Sequence, residues 1–309
     1  MSKRRKVEEP LNNAEGREKQ YDWLGAIKFY EKALASVSKQ IDFLEAGRIQ
    51  EKIGFCFYRA AMQAESQEEF KERMECAIKA YDKAVELFEK RERRKGSKSK
   101  HCKAMTSYLN SLLVSNPSEK KCLLDECWKL EKEVLKIYEQ NGDRFNYGRN
   151  CNQLLICLED RLNLEWDWRE QRRIAKESTY YCDKAIIALS KAERKDELAK
   201  AYCMASIHYN YASSSYGPNK KKKGCIQKCL DYADKAIRLS EEVADDYVIG
   251  LSYYIKAWTD YGYKGDLKSS LKSAEKLLQQ GIRTKDKFLM GSACFVLAEI
   301  TYWMLQIEE

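Results

Sequence analysis

Two histidines, His101 and His208, and twelve cysteines are the residues of this 309-residue chain best suited to acid–base, nucleophilic or metal chemistry. A catalytic constellation needs a nucleophile, a base and something to orient them. Neither histidine has a partner motif beside it. His208 falls on an apolar helical face, where a helix–helix contact is the expected role. His101 lies at a helix start beside Lys100 and Lys103, where exposure is expected.

The cysteines contain no Cys-x-x-Cys spacing. The closest pairs are Cys122/Cys127, Cys151/Cys157 and Cys225/Cys229. The last pair is one helical turn apart, but with so few imidazoles no zinc set assembles. Most cysteines fall at apolar positions of helical patterns, where Cys acts as a small hydrophobe. That usage predicts a reducing, cytoplasmic setting, with the nucleus as an alternative.

Other chemical motifs fail on context. The stretch "GSKSK" (96–100) lacks the strand and spacing of a phosphate loop. The acid pairs Glu68/Glu69 and Asp245/Asp246 open helices, where negative charge favours the dipole. Trp166 and Trp168 in "WDW" are expected to staple a helix corner. The sequence therefore predicts a non-enzyme with no catalytic residue, cofactor or metal.

The elements come from composition and repeat. Only three prolines and 14 glycines punctuate the chain, and 44% of it is hydrophobic. That favours an all-α protein. No apolar run is expected to span a membrane; the longest, 291–305, is short and carries Glu299.

"FYEKAL" around Lys32 returns around Lys83, Lys132, Lys184, Lys235 and Lys276. After each copy comes an Asp or Ser, with a small residue five positions later: Asp42/Gly47, Ser99/Ala104, Asp143/Gly148, Asp196/Ala201, Asp245/Gly250 and Asp286/Gly291. The Asp or Ser reads as a helix N-cap. The small residue admits a neighbouring helix. Each unit is thus two antiparallel helices, about twelve in all, stacking into a superhelix with a concave groove. The expected organisation is a basic flexible tail over 1–16 and one α-solenoid domain over 17–309.

"YDWLGAIKFYEKAL" and "CAIKAYDKAV" resemble the second helix of a tetratricopeptide repeat, through Ala26, Tyr30, Ala33, Leu34 and Ala77, Tyr81, Ala84, Val85. "KIGFCFYRA" and "VLAEITYW" resemble its first helix more weakly. The units here are nearer 50 residues than the family's 34. They look like the longer repeats of SNAP-type adaptors or of the sensor arms of signalling proteins.

The resemblance implies a groove lined by first-type helices. Its spacing falls on Arg48, Glu51, Phe55, Tyr58 and Arg59, then Arg149, Asn152 and Asp160. It continues with Tyr202, Tyr209, Tyr253 and Lys256. Such residues suit a peptide or protein ligand. The resemblance also leaves the C-terminal helix without a cap, which implies a larger assembly through it.

Net charge is +8, held mostly in runs. Arg91, Arg93, Arg94 and Lys95 lie in one run, and Lys220, Lys221, Lys222 and Lys223 form another. A solvated loop is the plain account, and contact with a polyanion is the alternative. The expected function is a non-enzymatic scaffold or adaptor binding a peptide or partner protein. An RNA- or polyanion-binding repeat and the sensor arm of a larger signalling protein are the alternatives.

Overall fold

A computed structural model describes residues 5–38, 42–92, 96–216 and 220–308. Among them are thirteen α-helices and no strand. They run α1 (Arg5–Glu18), α2 (Trp23–Ser38), α3 (Phe43–Ala61), α4 (Gln67–Glu92), α5 (Ser97–Leu113), α6 (Pro117–Gln140) and α7 (Arg144–Leu164). Then come α8 (Trp168–Lys191), α9 (Lys195–Ser214), α10 (Lys220–Val243), α11 (Asp246–Thr259), α12 (Leu267–Thr284) and α13 (Lys287–Glu308). A π-turn, Asp260–Lys264, ends α11. Contacts divide the chain into two compact units, Met1–Ile137 and Tyr138–Glu309.

The predicted caps decide where helices begin. Asp42, Asp143, Asp245 and Asp286 each accept the backbone N–H three residues on, at 3.1 to 3.2 Å. This satisfies donors that the first turn leaves without a partner. Ser99 and Asp196 instead lie inside the first turns of α5 and α9.

The small residues work as notches. A Cβ on Gly47 would fall 2.7 Å from the Phe88 ring, and one on Gly54 would fall 2.8 Å from Tyr81. In the second unit a Cβ on Gly148 would fall 2.5 Å from Leu189. Each gap lets the paired helix close on its partner.

In the first unit, sequential helices pack as neighbours from α1 to α5. Trp23, Ala26, Tyr30 and Ala33 of α2 are buried against Ile49, Ile53 and Cys56 of α3. The sequence predicts a flexible tail over 1–16, yet Arg5–Glu18 forms α1, with Pro10 inside it and Ala14 fully buried. Glu18 anchors this helix. It accepts from the Tyr30 hydroxyl at 2.8 Å and pairs with Lys52 at 3.2 Å. The helix breaks at Tyr21, whose φ is 58°, and the chain restarts as α2 on the Asp22 cap.

In the second unit, sequential helices again pack as neighbours from α7 to α13. The odd-numbered helices also touch each other: α7 with α9, α9 with α11, and α11 with α13. They form an inner, closely spaced layer, while α8, α10 and α12 form the outer one.

Two expectations need correction here. Lys287–Gln306 is, by length and composition, long and apolar enough to cross a membrane. In the fold one side of it, Leu289, Ala293, Val296 and Ile300, packs into the core with Leu277 and Ala274 of α12. Trp166 and Trp168 do not staple their corner; they are 94% and 63% exposed. The Asp167 carboxylate caps α8 instead, taking the Arg169 N–H.

Candidate functional site

The predicted groove residues divide by which neighbour they face. In the first unit Arg48 is exposed and pairs with Glu45 of its own helix, at 3.3 Å. Glu51 and Tyr58 face α5: Glu51 lies 4.0 Å from His101, and Tyr58 meets Tyr108 edge-on. Phe55 packs edge-on against Trp23, and the buried Arg59 guanidinium stacks 5.6 Å from the same ring. Those last two hold α3 to α2.

His101 is not the exposed residue expected. Its Nδ1 lies 2.9 Å from Oε1 of Glu131, a fully buried carboxylate on α6. With Glu51 on the other side, the imidazole bridges α3, α5 and α6. Beside it, Lys100 forms an ion pair with Glu133 of α6.

In the second unit Arg149 is exposed and lies 3.7 Å from Glu197 of α9. Asn152 is buried and donates to the Glu197 carbonyl at 3.3 Å. Asp160 is half-buried on α7. Tyr202, Tyr209, Tyr253 and Lys256 turn away from the inner layer. Tyr202 stacks with Tyr232 of α10. Tyr209 donates to Asp183 of α8 and accepts from Lys228 of α10. The Tyr253 hydroxyl accepts from Lys276 of α12, and Lys256 pairs with Asp234 of α10. Tyr253 and Lys276 also line a shallow depression of about 180 Å³ with Asp246 and Arg283.

The inner layer of this unit carries a different set. Glu159 on α7, Tyr211 on α9, and Tyr254 and Trp258 on α11 are all half-buried. Tyr211 donates to Asn163 of α7 at 2.8 Å. Tyr254 meets the ring of Phe288 at 6.1 Å, and Trp258 meets that of Phe295 at 5.8 Å. An aromatic strip therefore runs across α9, α11 and α13, with a carboxyl at its α7 end.

The electrostatics of this strip keep it neutral. Burial, with the Asp160 charge adding to it, pushes the Glu159 carboxyl up to about 8. Burial first and Glu159 second raise the hydroxyls of Tyr211 and Tyr254 above the ordinary tyrosine range. Near neutral pH the strip offers hydroxyl and carboxyl donors on an apolar floor.

On α11 the positions read from the sequence miss this strip because their offsets drift. In the first unit Glu51, Phe55 and Tyr58 stand four, eight and eleven residues after Gly47. The same steps after Gly250 reach Tyr254, Trp258 and Tyr261, and eleven after Gly148 reaches Glu159. The choices of Tyr253 and Lys256 used three and six, which rotate onto the outer side.

The remaining candidates stay apart. Arg91 is exposed in the last turn of α4, while Arg93, Arg94 and Lys95 lie outside the described residues. Lys220, Lys221 and Lys223 are exposed at the start of α10, and Lys222 sits 5.1 Å from the Tyr263 ring. Among the described residues no His, Cys, Asp and Glu cluster could hold a metal ion. Of the twelve free cysteines eight are buried, and Cys122 and Cys294 are exposed.

No protein-family model matches the sequence, and no curated protein matches it. Among solved structures the chain is similar to aspartyl phosphate phosphatase F from Bacillus subtilis. That match has 14% identity and a TM-score of 0.47, covering 95% of this chain and 68% of that one. It is also similar to a circular tandem repeat protein with novel repeat topology, at 12% identity and a TM-score of 0.34, covering 91% and 77%. Neither likeness bears on function.

Proposed function

We propose that this chain is a non-enzymatic interaction scaffold of tetratricopeptide-like type, whose second unit holds a peptide or a segment of a partner protein. The observation that carries this is the neutral aromatic strip on the inner layer. Tyr211, Tyr254 and Trp258 supply apolar area with polar handles, the chemistry that recognition surfaces favour. Glu159 adds a donor for a ligand carbonyl. Arg149 stands exposed at the other end of α7, suited to a carboxylate.

Binding rather than turnover fits the site's parts. A carboxyl held near 8 is the kind of group a general acid needs. Within the strip it is joined by tyrosines whose hydroxyls are harder to ionise than usual, so no activated nucleophile accompanies it.

The test is affinity capture from native lysate, followed by mass spectrometry of protein and nucleic acid. Wild-type chain is compared with Tyr254→Ala, Trp258→Ala, Arg149→Glu and Arg48→Glu. Loss of the same captured proteins in the second-unit variants supports the assignment. Capture dominated by nucleic acid that falls steeply with log salt would instead favour the polyanion alternative.

A further inference from the structure

α13 carries an exposed apolar face opposite its core side. Phe288, Phe295, Tyr302, Trp303 and Leu305 are all exposed, Phe295 by 57%. Gly291 and Ala298 lie exposed among them. Among the described residues nothing stands within 4 Å of where a Gly291 Cβ would be.

These two small residues have filled counterparts elsewhere in the chain. Gly291 follows its capping Asp286 by five residues, as Gly47 follows Asp42. Ala298 stands seven further on, as Gly54 does. On α3 these notches receive Phe88 and Tyr81 from the antiparallel α4. As the notch advances by seven residues, the aromatic that fills it retreats by seven. That is the register of an antiparallel helix pair.

α13 carries aromatic residues that meet the same rule. Pairing Gly291 with Tyr302 also pairs Ala298 with Phe295 and Leu305 with Phe288. The relation is symmetric, so one helix supplies both notches and knobs. We propose that α13 docks antiparallel on α13 of a second copy of this chain, about a two-fold axis near Val296 and Leu297. Such an interface is isologous and closes on itself. It repeats, with the same antiparallel spacing, the notch-and-aromatic packing that joins α3 to α4 within the first unit.

Charge permits this pairing. From Phe288 to Leu305 the only charged residue is Glu299. It accepts from the Tyr261 hydroxyl of its own chain. No like charges meet when the two faces close.

The full chain is measured by sedimentation equilibrium across the micromolar range, with Ala298→Arg, Gly291→Arg and the exposed-site control Trp168→Arg. The wild type and the control are expected at twice the 36.1 kDa chain mass. Both α13 variants are expected at the single mass, with unchanged helical circular dichroism. If an α13 variant misfolds, alkylation of the exposed native Cys294 replaces it as readout. Its rate should fall as wild-type concentration rises. A wild type that stays monomeric, or a dimer that survives both α13 variants, overturns the proposal. So does a monomer that instead sediments with neutral phospholipid vesicles.

Discussion

His208 of α9 donates from Nε2 to the backbone carbonyl of Leu155 on α7, across 3.0 Å. The ring is fully buried, so one inner-layer helix is tied to the next through a group that titrates. Burial pushes its pKa down from 6.5 to about 4, while the bond to Leu155 opposes the shift. The folded state therefore resists protonation more than the unfolded chain does. Stability from this group is complete above pH 6.5 and is lost as pH falls towards 4, at most about 3 kcal/mol. Urea denaturation at pH 7 and pH 5 should show the loss in wild type. His208→Leu should be less stable at pH 7 by the missing bond and should flatten the slope.

Glu159 predicts the opposite slope. Its carboxyl is raised from 4.5 to about 8, so the folded state holds the proton more tightly. Stability from it is complete below pH 4.5 and is lost as pH rises through 8. Glu159→Gln should match wild type at pH 5 and exceed it at pH 8.5, measured by denaturant midpoints. Equal stability of the two chains at pH 8.5 would show that the carboxyl is not held neutral.

The glycines separate packing from propensity. Gly148→Ala puts a methyl 2.5 Å from Leu189 and should cost about 1–3 kcal/mol. Gly224→Ala, in α10, meets nothing within 4 Å among the described residues and should stabilise by about 0.5–1 kcal/mol. Thermal midpoints of the two variants should therefore move in opposite directions.

These same glycines mark what the sequence made legible. An Asp cap with a small residue five positions on has a local cause, since capping and close approach depend on single residue types. Asp42/Gly47 and Asp143/Gly148 were therefore readable without any structure. Ala26, Tyr30 and Ala33, the positions that carry the repeat resemblance, are buried. α1 is not readable, because "RKVEEPLNNAEGRE" holds few apolar residues and carries Pro10. What holds it is distant in sequence: Glu18 meets Lys52 and Cys56 of α3. The strip from Glu159 to Phe295 was missed for a related reason. Its members come from four helices, and an offset error of one residue rotates a side chain by about 100°.

The central claim is that the inner layer of the second unit binds protein. The most direct measurement is quantitative capture from lysate with wild type and the Tyr254→Ala/Trp258→Ala double variant, their folds matched by circular dichroism. The account predicts a defined set of proteins retained by wild type and lost by the double variant. Identical captured proteins in identical amounts would contradict it.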